Sequence, residues 1–171
     1  LFVGWGAVDA AREVGLIADR LGAPVTTTLQ GLSSFPANHP LHAGFCLGRA
    51  AVPAAENAFR DCDCMLAIGA RFGEIATGSY GYEPPANLIH VDINPTQLGH
   101  NRQVDVPIVG DARAVLEQLR AEAEGKIAPK RYAAWTGKLR TLDAEKGAEA
   151  DKAMSREETP IHPLRLCKEI R

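Results

Sequence analysis

The feature that most constrains the fold of this chain is the alternation of short apolar segments with helical segments. Residues 64–68 read Cys-Met-Leu-Ala-Ile, a continuous apolar run that is typical of a strand buried on both faces. Short runs of the same kind occur at residues 1–3, 24–28, 88–92 and 106–109. Strands that alternate with helices form parallel sheets covered on both faces. The pattern therefore predicts a three-layer α/β/α domain around a parallel sheet of about six strands, five of which these runs mark.

Helical periodicity marks segments between these strands. Apolar residues recur at i, i+3, i+4 and i+7 over residues 7–21, and Gly22 is the expected C-terminal stop. A second helix is predicted over residues 53–60, and a third begins after Asp111, its expected N-cap. The segment 29–48 is rich in glycine, proline, serine and histidine, and loops of this length are usually functional. We expect the sixth strand to lie within it.

The composition excludes several classes of function. Of the 171 residues, 46% are hydrophobic, which excludes low-complexity disorder. No apolar run approaches the ~18 residues that a membrane span requires. The formal net charge is -2, whereas dedicated nucleic-acid binders usually carry a basic stripe. We therefore expect neither a nucleic-acid partner nor a membrane partner.

The four cysteines indicate a reducing compartment. Cys62 and Cys64 are separated by one residue, which is too close for the usual C-x-x-C zinc or redox motif, and the sequence has no second pair. Free thiols are the expectation, and a zinc site that also uses His90 or His100 is the alternative. No signal peptide is visible, so we predict a cytoplasmic protein without a metal site in this chain.

The character of the chain changes after residue 125. A charged helix from Pro129 with an aromatic and leucine stripe is predicted next, followed by a polar, linker-like stretch over residues 147–159. A new helix is predicted from Pro163 to the end. The chain opens inside an apolar stretch and closes inside this last helix, so we expect it to be a piece of a longer polypeptide.

A glycine turn follows the first predicted strand. Gly4 and Gly6 stand between that strand and the first helix, an arrangement that places backbone N–H groups and a helix dipole at an anion. The dinucleotide fingerprint requires a third glycine where this chain has Asp9, and an acidic ribose ligand where it has threonines at residues 26–28. The standard nicotinamide fingerprint therefore fails. The turn is either part of another nucleotide site or a plain tight turn.

Comparable chemistry follows the other strands. Ligands of open parallel sheets bind at the carboxyl ends of the strands, where glycines permit close backbone approach. Arg71 suits a bidentate phosphate contact, and Asp92 suits ribose hydroxyls. The alternatives are a surface or interdomain salt bridge for Arg71, a helix cap for Asp111 and plain strand propensity for the threonines. The strand ends in question are Gly4-Trp5-Gly6, Thr28-Leu29, Gly69-Ala70-Arg71, Asp92-Ile93 and Gly110-Asp111.

Several longer segments resemble the central domain of thiamine-diphosphate-dependent enzymes, in particular that of acetolactate synthase large subunits. They are residues 23–32 (APVTTTLQGL), Phe35-Pro36, His39-Pro40-Leu41, residues 63–72 (DCMLAIGARF), residues 89–95 (IHVDINP) and Val109-Gly110-Asp111-Ala112. The resemblance extends in order from Leu1 to about Leu119. Residues 160–171 resemble the lead-in to the third, diphosphate-binding domain of such enzymes.

The resemblance implies a Rossmann-like, DHS-type nucleotide-binding domain in residues 1–125, with no catalytic residue. A helical extension and linker (126–159) and the start of the diphosphate-binding domain (160–171) follow. In acetolactate synthases the central domain holds a non-redox FAD, in one relative it holds ADP, and in many it is empty. The matching cofactor-contact positions are Gly4, Gly6, Thr28, Leu29, Gly69, Ala70, Arg71, Asp92, Ile93, Gly110 and Asp111.

The resemblance also implies the reaction of the longer enzyme, which is the formation or cleavage of a C–C bond beside a 2-oxo acid carbonyl by a transferase or lyase. Thiamine diphosphate and Mg²⁺ are expected on residues outside this chain. The implied partners are flanking N- and C-terminal domains within a homodimer or homotetramer. Gly110-Asp111 does not start the family's magnesium motif, because Ala112 follows and the last asparagine is Asn101. We therefore expect the chain to be inactive alone.

Some positions depart from the flavin contacts of the family. Two aspartates and an arginine usually stand where this chain has Gly73, Glu74 and Ile75. Gln97 replaces a common glutamate, and residues 45–50 lack the usual methionine- and histidine-containing pattern. Each lost charge-assisted bond is worth about 1.5–3 kcal/mol, so we predict weak or absent FAD binding. The alternatives to an enzyme domain are a free-standing FAD- or NAD-binding module and a structural domain without a ligand.

Overall fold

The computed structural model describes residues 1–45, 51–85, 87–127 and 132–170. Its strands in these residues are β1 (Phe2–Val3), β2 (Val25–Thr27), β3 (His42–Phe45), β4 (Cys64–Ile68), β5 (Asn87–Asp92) and β6 (Val106–Val109). They form one parallel sheet in the order β3-β2-β1-β4-β5-β6. The predicted parallel sheet is confirmed, and β3 is the sixth strand that the sequence places in the long segment 29–48.

Helices cover both faces of this sheet. They are α1 (Ala11–Leu21), α2 (Pro53–Arg60), α3 (Ala112–Ala123), α4 (Ala133–Met154) and α5 (Pro163–Ile170). α1 packs against α3 on one face, α2 packs against α4 on the other, and α5 packs on α4. The predicted three-layer architecture is therefore confirmed. No helix in the described ranges combines the length and the apolar character that crossing a membrane requires.

The side chains of the central strands divide between the two faces. In β4, Leu66 and Ile68 contribute to the core beneath α1 and α3. Met65 and Ala67 contribute to the core beneath α2. This alternation follows from the two-residue period of a strand. Because both faces are covered, every side chain of the strand beyond Cys64 is buried, which explains the continuous apolar run in the sequence.

The first helix begins later than the periodicity predicts. Residues Trp5–Ala10 form a 3-10 helix, and α1 starts only at Ala11. The N–H of Ala7 donates to the carbonyl of Gly4 at 3.1 Å, an i to i+3 bond that tightens the turn after β1. Gly22 ends α1 in the left-handed conformation, with φ of 62°, as predicted.

The linker-like stretch after residue 147 is mostly helical, so that prediction is wrong for residues 147–154. α4 continues to Met154 because alanine, glutamate and lysine dominate this stretch and favour helix. Lys146 pairs with Glu149 at 2.9 Å on its surface, and Leu139 anchors the helix in the core. The sequence-based predictions for residues 46–50, 129 and 171 lie outside the described residues.

The strand order creates a switch point between β1 and β4. From β1 the chain moves outward through β2 to the β3 edge, and it then returns to β4 and moves outward to the β6 edge. The two crossovers leave opposite sides of the sheet, so the loops after β1 and β4 diverge and open a crevice at their carboxyl ends. This is the place where a doubly wound sheet holds its ligand.

A buried histidine lies beneath that crevice. His90 is 1% exposed, and neither ring nitrogen has a hydrogen-bond partner within the described ranges. Its ring packs edge-on against Phe72, with the ring centroids 5.4 Å apart. Burial lowers the pKa of His90 below the ordinary value of 6.5, and the nearby Ala70 carbonyl and Asp92 carboxylate oppose this shift only in part.

We expect His90 to make the fold sensitive to acid. Because its pKa is lowered, His90 binds a proton less readily in the folded state than in the unfolded chain, so protons favour unfolding below about pH 6.5. The free energy of unfolding of the wild type should fall more steeply between pH 6.5 and pH 5 than that of His90→Leu, measured by urea denaturation. The pKa of His42 is also lowered by burial, and this group remains in both proteins. Parallel pH curves would contradict the assignment.

Candidate functional site

A polar cleft of about 1000 Å³ lies at the switch point of the sheet. Its floor and walls come from the segments that follow β1, β2, β4 and β5. The residues proposed from the sequence that line it are Gly4, Gly6, Thr28, Gly69, Ala70, Arg71 and Asp92. Leu29, Ile93, Gly110 and Asp111 follow the same strand ends but are not part of its lining.

Two glycine turns pack against each other at the floor of the cleft. A Cβ atom on Gly4 would lie 2.1 Å from the carbonyl oxygen of Gly69, and one on Gly69 would lie 2.6 Å from Gly6. Gly69 also has φ of 58°, in the left-handed region that favours glycine. Real Cβ atoms do not approach backbone so closely. Backbone contact between the two turns therefore requires glycine at these three positions.

The glycine turns use their own N–H groups inside the protein. Gly4 N–H donates to the Ile68 carbonyl at 2.9 Å, and Gly6 N–H donates to the Gly69 carbonyl at 3.1 Å. Gly69 N–H donates to the Val91 carbonyl at 2.8 Å. The sequence suggests these N–H groups and a following helix dipole as an anion site. The structure gives these three N–H groups to neighbouring backbone carbonyls and puts a 3-10 helix after the first turn, so these three groups are not available to an anion.

The loop after β2 closes one wall of the cleft. Thr28 is 5% exposed, and its hydroxyl oxygen accepts the N–H of Gly31 at 2.9 Å. Ser34 is fully buried, and its hydroxyl donates to the Gly4 carbonyl at 3.1 Å. These bonds tie the β2 loop to the first glycine turn. Thr28 is therefore held at the cleft by more than strand propensity.

Asp92 supplies a carboxylate at the end of β5. The residue is 8% exposed, and its Oδ1 atom accepts the N–H of Asn94 at 2.8 Å. The side chain of Asn94 in turn caps the short 3-10 helix Pro95–Gln97 by accepting the N–H of Thr96. Asp92 is thus a rigid acceptor at the cleft wall, with a geometry suited to hydroxyl donors.

Arg71 supplies the cation of the cleft. Its side chain is exposed, and it takes part in no ion pair with the rest of the described chain, which leaves of the salt-bridge alternative only a bridge to another domain. Its backbone carbonyl accepts the side-chain amide of Asn101 at 2.8 Å. Phe72 follows with φ of 50° and is fully buried, which fixes the direction of the loop. Arg102 clamps the far end of this loop by donating to the carbonyls of Tyr80 and Tyr82.

Several lining residues were not identified as site residues from the sequence. They are Trp5, Gln30, Ala76, Asn94, His100 and Asn101, together with Gly73, Glu74, Ile75 and Gln97, which the sequence marks only as departures from the family pattern. A signal existed for Trp5, since an aromatic residue between two glycines of a strand-end turn is unusual. His100 and Asn101 lie beyond β5, and only the tertiary fold brings them to the loop after β4.

The described residues contain no grouping suited to a resident divalent metal. Asp111 caps α3, where its carboxylate accepts the N–H of Ala114 at 3.1 Å, as the sequence predicts. Cys62, Cys64 and Cys167 are free thiols. Magnesium-assisted diphosphate binding therefore does not fit this side-chain set, and we derive no catalytic step from it.

A second cavity, of about 530 Å³, lies at the opposite, amino-terminal edge of the sheet. Its lining is mostly apolar and includes Leu1, Met65 and Trp135. The two cavities therefore differ in chemistry. The cleft at the carboxyl edge brings a cation, carboxylates, amides and a hydroxyl together, whereas the second cavity is mostly apolar.

A doubly wound sheet with a polar cleft at its switch point defines a Rossmann-like α/β domain, a class that binds nucleotides at that place. The chain belongs to the family of thiamine pyrophosphate enzyme central domains, whose family model matches residues 1–119. That range contains all six described strands and most of α3. The resemblance stated from the sequence is confirmed.

Similar proteins are acetolactate synthases. The large subunit of Corynebacterium glutamicum is 39% identical over 148 residues, which cover 84% of this chain and 24% of that protein. The probable large subunit of Methanocaldococcus jannaschii is 35% identical over 173 residues, or 99% and 28% of the two chains. The chloroplastic acetolactate synthase 1 of Zea mays is 34% identical over 142 residues, or 81% and 22%. The chain thus spans about a quarter of the length of these curated relatives.

The glycine contact yields a direct stability prediction. Gly4→Ala should lower the free energy of unfolding by about 3 kcal/mol or more, because the new methyl group overlaps the Gly69 carbonyl and the backbone must move. Gly15→Ala is the matched control, since it lies inside α1 with nothing within 4 Å of the added methyl group, and it should stabilise by about 0.5–1 kcal/mol. Urea denaturation measures both, and equal effects would contradict the contact.

Proposed function

We propose that this chain is the central, non-catalytic domain of a longer thiamine-diphosphate-dependent enzyme that acts on a 2-oxo acid, as acetolactate synthases do. The observation that carries the proposal is the family match across the whole sheet, together with similar acetolactate synthases about four times as long. The longer enzyme, a transferase or a lyase, forms or breaks the C–C bond beside the 2-oxo carbonyl. Thiamine diphosphate and Mg²⁺ bound to the flanking domains supply this chemistry. This chain contributes scaffold and a nucleotide cleft.

The domain organisation follows from the same proposal. Residues 1–125 form the central domain, residues 126–159 an extension with the linker, and residues 160–171 the start of the diphosphate-binding domain. The exposed leucine and isoleucine side chains of α5, at Leu164, Leu166 and Ile170, support a further domain that packs on this helix. A homodimer or homotetramer in the cytoplasm completes the proposal, and the free cysteines are compatible with a reducing compartment.

The cleft is the proposed nucleotide site. The exposed guanidinium of Arg71 suits a phosphate, and the buried carboxylate of Asp92 suits ribose hydroxyls. Gly4, Gly6 and Gly69 keep the floor flat, so a ligand can approach the backbone between Thr28 and Arg71. Leu29, Ile93, Gly110 and Asp111 remain proposed contacts through the family resemblance alone. Bound FAD or ADP would have a positional role here, without redox chemistry.

FAD fits only part of this cleft. Gly73, Glu74 and Ile75 line it, yet Gly73 offers no side chain, Glu74 adds negative charge, and Ile75 is a 60% exposed apolar residue. No cation beyond Arg71 stands on this loop wall between residues 71 and 76. The adenosine diphosphate half of a dinucleotide has partners in Arg71 and Asp92, whereas the flavin half lacks the charged partners usual in the family. Weak or absent FAD binding follows.

The enzyme-domain proposal predicts that catalysis requires the flanking domains. With thiamine diphosphate, Mg²⁺ and pyruvate, this chain alone should release no carbon dioxide, because its described residues offer neither a metal site nor a catalytic group. A longer protein that carries this chain between such domains should release it. Carbon dioxide measured above the protein-free rate from the chain alone would overturn the proposed division of labour.

The flavin prediction has a gain-of-function test. Gly73→Asp, Glu74→Asp and Ile75→Arg introduced together restore the family's charged residues, and they should tighten FAD binding by roughly two decades. Ile161→Arg is the control, since it adds the same arginine at an exposed site outside the cleft. Calorimetric titration measures the affinities. Tight, stoichiometric flavin in the wild-type protein, or no gain in the triple variant, would contradict the prediction.

A further inference from the structure

A single tryptophan stands at the centre of the candidate site. Trp5 follows β1 directly, begins the 3-10 helix Trp5–Ala10, and lines the cleft at the switch point of the sheet. It is 69% exposed. Exposed tryptophan is uncommon in a folded protein, and beside a polar cleft it is informative, because its large ring is available to a ligand.

The backbone contact of Gly4 and Gly6 with Gly69 explains why Trp5 supplies the side chain of this turn. Gly4 and Gly6 cannot carry a side chain, because their Cβ atoms would overlap the backbone of Gly69 and Ala70. The bonds of Gly4 to the Ile68 carbonyl and of Gly6 to the Gly69 carbonyl hold the backbone on both sides of position 5. The indole therefore projects from a rigid base, and little conformational freedom of the backbone is lost when a ligand stacks on it.

The polar groups around Trp5 suit the phosphate and the sugar of a nucleotide. Arg71, from the loop after β4, is the cation for a phosphate, and Asp92, from the end of β5, is the acceptor for a sugar hydroxyl. The backbone N–H groups of the glycine turns are already bonded within the protein, so they add little to ligand affinity. A planar base needs a flat apolar surface, and among the described lining residues the indole of Trp5 offers a larger and less polar ring than the imidazole of His100.

Other exposed apolar residues near the strand ends do not compete for this role. Leu29, Ile93 and Val109 are also exposed at the carboxyl edge of the sheet, but none of them lines the cleft. Ile75 does line it, yet a branched aliphatic side chain offers no π-face for stacking. The aromatic ring, the rigid backbone and the position at the switch point occur together only at Trp5 among the described lining residues.

We propose that Trp5 is the platform on which the base of a nucleoside diphosphate stacks in this cleft. The ligand chemistry is an adenosine diphosphate group, either as free ADP or as half of FAD. This inference rests on the nucleotide-binding role proposed above and specifies how that role is carried out. Stacking on the indole contacts the base, whereas the phosphates are left mainly to Arg71, because the N–H groups of Gly4, Gly6 and Gly69 are bonded within the protein.

The test uses the two tryptophans of the chain. In Trp135→Phe all indole emission comes from Trp5, because Trp135 lies in the apolar cavity at the other edge of the sheet. Saturating ADP should quench this emission.

In calorimetry, Trp5→Ala should weaken ADP binding about tenfold or more, and Trp5→Phe should weaken it less. Inorganic pyrophosphate, which has no base, should bind the wild type, Trp5→Ala and Trp5→Phe equally. Leu32→Ala, an exposed residue outside the cleft lining, is the control and should leave ADP affinity unchanged.

Comparing several ligands distinguishes free ADP from FAD as the bound molecule. It also distinguishes failure of the stacking role from failure of the nucleotide site. FMN lacks the adenosine group and should bind most weakly, and FAD should bind no more tightly than ADP if free ADP is the source. Unchanged ADP affinity in Trp5→Ala, with ADP binding lost in Arg71→Ala, would overturn the stacking role and leave the nucleotide site intact. Equal losses of ADP and pyrophosphate in Trp5→Ala would also overturn it, since they indicate a disturbed cleft. No binding of ADP or FAD to the wild type would overturn both the stacking role of Trp5 and the proposed nucleotide site.

Discussion

The backbone contact between the turn after β1 and the turn after β4 is the constraint on which the rest of this structure depends. These strands are neighbours in the sheet, and Gly4, Gly6 and Gly69 let their continuations pass within a distance that no Cβ atom tolerates. The contact holds the two halves of the doubly wound sheet together at the point where their connections diverge. It thereby sets the floor of the cleft, and Thr28, Arg71 and Asp92 are arranged around that floor.

The same contact changes how the cleft can recognise a ligand. A glycine turn commonly offers free N–H groups to a phosphate, but here those of Gly4 and Gly6 donate to carbonyls across the switch point. A ligand in this cleft therefore gains little from these glycine N–H groups and more from the other groups that line it. Gly73, Glu74 and Ile75 line the cleft, whereas Phe72 beside them is buried and fixes the direction of the loop.

The fold is compatible with the scaffold role proposed for this domain. Asp111, which resembles the beginning of a magnesium motif, is engaged as the N-cap of α3, and the described residues hold no cluster of metal ligands. The long helix α4 runs over α2 and β3, and α5 carries exposed apolar residues onward from it. These features are compatible with the proposed central unit between flanking domains, with the candidate cleft at one edge of its sheet.

Sequence patterns by themselves determined the architecture. Buried parallel strands must be apolar on both faces, and in helices that pack on a sheet apolar residues recur with a period of about 3.6 residues. They located the strands, the cap at Asp111, the stop at Gly22 and the family resemblance carried by residues such as Ile89 to Pro95. Only the tertiary structure decided how the strand ends meet. It brought Trp5, His100 and Asn101 to the cleft, left Leu29 and Ile93 outside its lining, and bonded the glycine N–H groups within the sheet. These outcomes depend on contacts between segments distant in sequence, and local periodicity carries no information about such contacts.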